Sequence, residues 1–317
     1  MEQKSGKTAV MFPGQGSQEK GMGRDIAESW PEAMQIWEDA EKAAGADLRE
    51  IFWQGDAQAM QETRYLQPAL FAVGLCIWQI LGPSLRPGFA AGHSVGEFTA
   101  LAASGVLEYK DCMQLVALRG RLMSEAGQKQ EGGMLAVLRL EQETLQQIVE
   151  RAGQDSGGVL CIANYNSPQQ LVLSGSNAAL QAAKELIKAQ KGKAIALPVS
   201  GAFHSSLMQE AAQELAAYMQ RLHWYSPQIN LHLNLSAKVD NDPQAIAQAM
   251  QKQMLSPVLW LQLVQEQWAQ GVRNWFELGP RDVLSKLLKY CLQDKDEAWQ
   301  ATKVDSLQAV QEMLGRD

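Results

Sequence analysis

The chain has 317 residues, 46% of them hydrophobic and 20% charged, with a formal net charge of -7 at pH 7. That composition is typical of a soluble globular protein with a sizeable core, and the length suits one large domain carrying a smaller insert. The acidic balance, with no basic run, gives a nucleic-acid partner no electrostatic support, and the scattered Cys76, Cys112, Cys161 and Cys291 form no CxxC pair. This argues against a zinc site or a disulfide framework and fits a reducing cytoplasm.

In chain order, the apolar stretch of "MEQKSGKTAVMFPGQGSQ" is too short for a signal peptide and reads as a strand entering a glycine-rich loop. "MGRDIAESWPEAMQIWEDAEKAAG" has a helical pattern, with Pro31 marking a helix start or break. "QPALFAVGLCIWQILG" predicts a buried helix whose apolar run stops at Gln79, too soon to span a bilayer. "GFAAGHS" predicts a small-residue strand, "VGEFTALAASG" a helix, and "YKDCMQLVALRGRLMSEAG" a long helix ending at Gly127.

Residues 129–199 then read strand, helix, strand, strand, helix, strand: "GGMLAVLRL", "EQETLQQIVERAG", "GVLCIANYN", "QQLVLSGS", "AALQAAKELIKAQ" and "GKAIALPVS". This βαββαβ order is the ferredoxin-like pattern. It predicts a small subdomain at 129–199 inserted into a larger α/β subdomain made of 1–128 and 200–317. Beyond it, "SSLMQEAAQELAAYMQRL" is helical, "QINLHLNLS" alternates like a half-buried strand, and "WFELGP" reads as a last short strand before a helix.

Chemistry concentrates at Gly92-His93-Ser94-Val95-Gly96, which satisfies G-x-S-x-G between a strand and a helix. In such an elbow the serine sits on a strained turn, and glycines are needed where neighbouring main chain comes too close for side chains. A serine hydroxyl needs a base. Of the four histidines, His93 diverges from its neighbour on an elbow, His232 falls on the polar side of its alternating strand, and His223 lies in a loop. His204, where "PVSGAFHSSLMQ" passes from strand to helix, is the best base by elimination, although a histidine there can also be a cap residue.

Arg119 gives a second signal. Leu115, Arg119, Leu122 and Ala126 share a helical stripe, so Arg119 faces the apolar side and Arg121 the opposite one. A buried guanidinium requires an anion. Either an internal carboxylate pairs with it, or it clamps a substrate carboxylate through two parallel hydrogen bonds. The first loop, "FPGQGSQEKGMG", lacks the lysine and hydroxyl of a phosphate-binding Walker loop, and Gln15 could instead lend a backbone N–H to an oxyanion.

Together "FPGQGSQ", "GHSVGEFTAL", Arg119 in "LRGRLM", "GAFHSSLM" and "MLSPVLW" occur in an order that resembles the malonyl-CoA:acyl carrier protein transacylases over nearly the whole chain. The resemblance implies an α/β-hydrolase-like large subdomain with the ferredoxin-like one inserted, and an active site in the cleft between them. It implies Ser94 as nucleophile, His204 as base, and the N–H groups of Gln15 and Val95 as oxyanion hole. Arg119 would bind the malonyl carboxylate, Gln253 would orient the histidine through its carbonyl, and Asn164 and Asn166 would face the cleft. Asparagine in "ANYNSP" is also ordinary turn chemistry. The implied reaction is malonyl transfer from malonyl-CoA to a carrier-protein thiol by a monomer, with no metal or bound cofactor and no membrane partner.

Rival readings are a hydrolase on the same fold, a transferase serving a polyketide carrier, and a non-catalytic scaffold. Arg119 argues against the first, and the presence of Ser94, His204 and Arg119 argues against the last. Arg281 and Asp282 in "LGPRDVLSKLL" depart from the commoner pattern, away from the chemistry. Lys286 and Lys289 are candidate contacts for an acidic carrier, with a solvated helix face as the alternative.

Overall fold

Strand β1 (Lys7–Phe12) lies at the centre of the larger sheet in the computed structural model, which describes residues 6–315. Helices α1 (Arg24–Ser29) and α2 (Pro31–Ala44) follow, split at Trp30, which is extended because a proline comes next. After two short irregular turns come α3 (Thr63–Leu85), β2 (Phe89–Gly92), α4 (Gly96–Ala103) and α5 (Tyr109–Lys129). The next elements are β3 (Gly132–Leu138), α6 (Gln142–Ser156), β4 (Leu160–Ser167), β5 (Gln170–Ser176), α7 (Asn177–Ala189) and β6 (Lys193–Ala196). The chain continues through α8 (Gln209–Met219), β7 (Asn230–His232), β8 (Val239–Asp240), α9 (Pro243–Lys252) and α10 (Trp260–Ala269). It ends with β9 (Val272–Leu278), α11 (Val283–Cys291), β10 (Gln300–Val304) and α12 (Leu307–Leu314).

The large sheet has the order β10-β9-β1-β2-β7-β8 and is parallel except for the final β7–β8 pair. A parallel sheet is covered on both faces, so its central strands β1 and β2 are largely apolar. In β1, Val10 and Phe12 enter the core built with α1 to α5, while Ala9 and Met11 enter a second core with α10 and α11. Helix α3 is longer than its apolar run suggested and carries Pro68 and Pro83; most of its residues are buried, and it packs on α2, α4 and α5.

The small sheet is antiparallel with the order β4-β5-β3-β6, as a ferredoxin-like βαββαβ unit requires. Leu135, Val137, Leu171 and Leu173 face α6 and α7 on one side, while Met134, Ala163 and Val172 join the main core on the other. Backbone hydrogen bonds tie β4 to the large body: Val258 N–H donates to the Ala163 carbonyl at 2.8 Å, and Tyr165 N–H to the Val258 carbonyl at 2.9 Å.

Four sequence expectations need correction. Helix α5 does not stop at Gly127 but runs to Lys129; the glycine is there because a Cβ would meet the Ser200 carbonyl at 2.1 Å. "WFELGP" is not the last strand, since β10 pairs with β9 at the sheet edge. "QINLHLNLS" contributes only the three residues of β7. His232 is not on a solvated side: it is fully buried, its ring 5.5 Å from that of Phe89, because β7 lies between β2 and β8 in a sheet covered on both faces. Among the described residues neither ring nitrogen of His232 has a partner, and burial lowers its pKa to about 4.

Candidate active site

Strand β2 ends at Gly92, and Ser94 turns the chain into α4 with a φ of 53°. The turn is tight enough to exclude side chains on both flanks. A Cβ on Gly92 would lie 2.0 Å from the Gly96 backbone, and one on Gly96 would lie 2.1 Å from the Phe12 carbonyl. Asn234, just beyond β7, braces the turn: its Nδ2 donates to the Gly92 carbonyl at 2.7 Å and its Oδ1 accepts the Ser94 N–H at 2.8 Å. The strained serine conformation is thus held by its neighbours.

The Ser94 hydroxyl lies 2.8 Å from Nε2 of His204, a residue that also occupies the left-handed region, with a φ of 59°. His204 Nδ1 is 2.9 Å from the Ser256 carbonyl and 3.2 Å from the Gln253 carbonyl. Both are pure acceptors, so Nδ1 carries the proton and Nε2 accepts from the serine. Burial and the nearby Arg119 charge lower the His204 pKa to about 3, with the two carbonyls opposing. The imidazole is therefore neutral and able to take a proton.

Arg119 is 1% exposed, its guanidinium 5.5 Å from the Phe98 ring centroid. Nη1 donates to Gln67 Oε1 at 2.8 Å, and Nη2 donates to Gln253 Oε1 at 3.1 Å and to the Ser94 hydroxyl at 3.2 Å. Its Nε–H is buried with no partner among the described residues. No carboxylate forms a salt bridge with it among the described residues; neutral amides take that place, and Glu97 acts through space. Burial lowers the Arg119 pKa to about 10, so the group stays cationic at neutral pH.

The first loop packs onto the elbow, since a Cβ on Gly14 would lie 2.5 Å from the His93 carbonyl. Gln15 reaches Thr63 through its side chain at 3.3 Å, and among the described residues neither its N–H nor that of Val95 has an acceptor. Asn164 and Asn166 lie in strand β4 and not in a turn. Asn166 Oδ1 accepts from His93 Nε2 at 2.8 Å, so His93 bridges the elbow to the small sheet while its ring packs 5.5 Å from Trp260. Asn164 Oδ1 is buried without a partner among the described residues.

Several residues at this site escaped the sequence reading. Gln67, Asn234, the Ser256 carbonyl and Glu97 all belong to it. Glu97 and Gln67 carry the signal that revealed Arg119, a polar group in an otherwise apolar helix, whereas Asn234 carries none. Farther out, Lys286 is paired with Asp282 at 2.8 Å and Arg281 with Glu19 at 3.5 Å. Arg281 thus touches the loop containing Gln15 through Glu19, and Gly279 abuts Pro13 of the same loop.

A serine hydroxyl facing a neutral imidazole, two N–H groups without acceptors and a buried cation with an unfilled donor can carry out acyl transfer on an anionic acyl group. Residues 10–313 match the acyl transferase domain model. The chain is 36% identical to the malonyl CoA-acyl carrier protein transacylase of Haemophilus influenzae, over 97% of this chain and 99% of the relative. It superimposes on the crystal structure of malonyl-CoA:acyl carrier protein transacylase from Xanthomonas oryzae with a TM-score of 0.91 and 36% identity, covering 98% of each chain. A malonyl-transacylase solved in complex with a type II PKS acyl-carrier protein, PlMCAT:AntF, gives a TM-score of 0.90 at 33% identity, over 98% of this chain and 100% of that one. The chain belongs to the malonyl CoA-acyl carrier protein transacylase family of acyl transferases.

Proposed function

We propose that this chain transfers the malonyl group of malonyl-CoA to the phosphopantetheine thiol of an acyl carrier protein, through a malonyl ester on Ser94, to supply fatty-acid synthesis. The observation that carries this reading is the Arg119 guanidinium edge. Nε–H has no partner among the described residues, and Nη2, on the same edge, is 3.2 Å from the Ser94 hydroxyl. Two parallel donors beside the nucleophile suit the free carboxylate of a malonyl group.

In the first half-reaction Ser94 Oγ attacks the thioester carbonyl carbon while its proton passes to His204 Nε2. The Gln15 and Val95 N–H groups stabilise the tetrahedral oxyanion; loss of one such donor typically costs about 10²–10³ in rate. The C–S bond breaks, coenzyme A leaves with the proton from His204, and malonyl-Ser94 remains. In the second half, the carrier thiol gives its proton to His204 and its sulfur attacks the ester. The Ser94 oxygen leaves and regains the proton. The Gln253 and Ser256 carbonyls hold His204 in the required tautomer throughout, and Asn164 and Asn166 line the small-sheet side of the cleft.

Residues 1–128 and 200–317 would then supply the reacting groups, and 129–199 the opposing wall. The enzyme works as a cytoplasmic monomer with no cofactor beyond its substrates. Lys289, exposed and without an ion pair among the described residues, remains a candidate carrier contact, whereas Lys286 is already neutralised by Asp282.

Intact-mass measurement after brief incubation with malonyl-CoA, beside Ser94→Ala, tests the proposal. A gain of one malonyl group is expected, absent from the variant and discharged by a carrier protein. Continuous release of coenzyme A without an adduct would point to hydrolysis and overturn it. Discharge by fatty-acid and polyketide carriers in parallel identifies the physiological acceptor.

A further inference from the structure

Glu97 is a buried carboxylate that the reaction above does not use. It sits at 1% exposure in the first turn of α4, three residues beyond Ser94. Oε1 accepts the Asn234 N–H at 2.7 Å and Oε2 accepts Gln253 Nε2 at 3.0 Å. The same Gln253 Nε2 donates to the Ser94 carbonyl at 2.8 Å.

These contacts decide which way the Gln253 amide faces. A carboxylate and a carbonyl can only accept, so the NH₂ end is committed to Glu97 and Ser94. The amide oxygen must then face Arg119 Nη2, at 3.1 Å. The flipped amide would set its oxygen against two acceptors and its N–H groups against a cation. With Gln67 holding Nη1 at 2.8 Å, the guanidinium has one orientation, its Nε and Nη2 edge beside Ser94.

We propose that Glu97 is a specificity-determining positioning residue, acting through Gln253 to hold the Arg119 edge open for the acyl carboxylate. The inference rests on the function proposed above. Its chemical logic lies in the indirect contact. A direct Glu97–Arg119 salt bridge would fill that edge with the protein's own carboxylate. One amide farther away, Glu97 in its ionised form, which predominates above pH 7, supplies negative charge without competing for the donors. Its charge favours the protonated form of Arg119 against the effect of burial.

The test is Glu97→Gln, Gln253→Leu and the double variant, each loaded with malonyl-CoA and with acetyl-CoA and read as the ratio of the two kcat/KM values. In Glu97→Gln only one oxygen remains for two donors; with it on the shorter Asn234 N–H bond, an amide NH₂ confronts the Gln253 NH₂, so the Gln253 amide turns and Arg119 loses its acceptor. The malonyl-over-acetyl ratio is expected to fall about 10- to 100-fold, the effect of hydrogen bonding to a charged group. Gln253→Leu should show the same fall, and the double variant no further fall, because the two residues act in series. A disordered elbow would slow both donors alike, so equal losses would mean that Glu97 only supports the turn and would overturn the inference. Multiplying losses in the double variant would do so as well. If Glu97→Gln fails to fold, Gln253→Leu decides alone, and an unchanged ratio there overturns the inference. A wild-type enzyme that never forms malonyl-Ser94 defeats the underlying function instead, whatever the variants do.

Discussion

Replacing Arg119 with alanine separates two consequences that the structure allows to be sized independently. The first falls on a malonyl donor, which loses two donors from the guanidinium edge, the unpartnered Nε–H and Nη2. Each charged hydrogen bond contributes about 1.5–3 kcal/mol. The pair therefore amounts to about 3–6 kcal/mol, or about 10²–10⁴ in kcat/KM. An acetyl donor has no carboxylate and loses only the long 3.2 Å contact between Nη2 and the Ser94 hydroxyl. Its rate should change less than about tenfold. The second consequence falls on stability, because the Gln67 and Gln253 side-chain oxygens lose their donor. Each unpaired buried acceptor costs about 1–3 kcal/mol, in part offset because a buried cation is no longer desolvated. The assay is stopped-flow release of coenzyme A from both donors, run well below the melting temperature of the variant. Arg119→Lys should not rescue malonyl transfer, since an ammonium cannot present two parallel donors. Equal losses for malonyl and acetyl would refute the carboxylate role of Arg119.

Three further outcomes follow from the same geometry. Because burial and Arg119 hold the His204 pKa near about 3, the acid limb of Ser94 acylation should lie well below the ordinary histidine value of 6.5, and Arg119→Ala should move it upward in a pH–rate profile. Half-buried His93 and buried His204 and His232 have lowered pKa values, so the stability they contribute is present above pH 6.5 and is lost as pH falls through their folded values. Glu97, raised to about 7 mainly by burial, works in the opposite sense, its contribution fading as pH rises from 4.5 through 7. The melting temperature should therefore drop from pH 6.5 toward pH 4, and His232→Phe should flatten that slope; an unchanged slope would mean that the ring is protonated in the native state. Asn234→Ala leaves the Gly92 carbonyl and the Ser94 N–H without partners, at about 1–3 kcal/mol each, so calorimetry should show a lower melting temperature, with malonyl and acetyl loading slowed by the same factor. A selective loss of malonyl loading would contradict its role as a brace.

The parts of this molecule that could be read from the sequence are those in which local backbone chemistry leaves its own mark. Gly92 and Gly96 announce the elbow because a Cβ at either position would run into neighbouring main chain. The small sheet announces itself because hydrophobic period switches between two and 3.6 in a βαββαβ order. Illegible parts depend on contacts that only the topology creates. Asn234 reaches Ser94 across 140 positions, and nothing in "LNLS" distinguishes a brace from a turn residue. His232 was misplaced for a related reason. Alternation separates the two faces of a strand, but it says which face meets water only when one face does, and in this sheet neither does. Arg119 falls between these cases. Its place on an apolar stripe showed that a charge was buried and needed compensation, but whether a carboxylate or amides would answer it depended on helices distant in the chain. The same test applied to Gln67 and Glu97, both polar residues in apolar helices, marks them as members of one buried network. Such residues are legible as anomalies before their partners are known, and a buried cation answered by amides, with no salt bridge among the described residues and its Nε–H left over, is what the proposed carboxylate role of Arg119 requires.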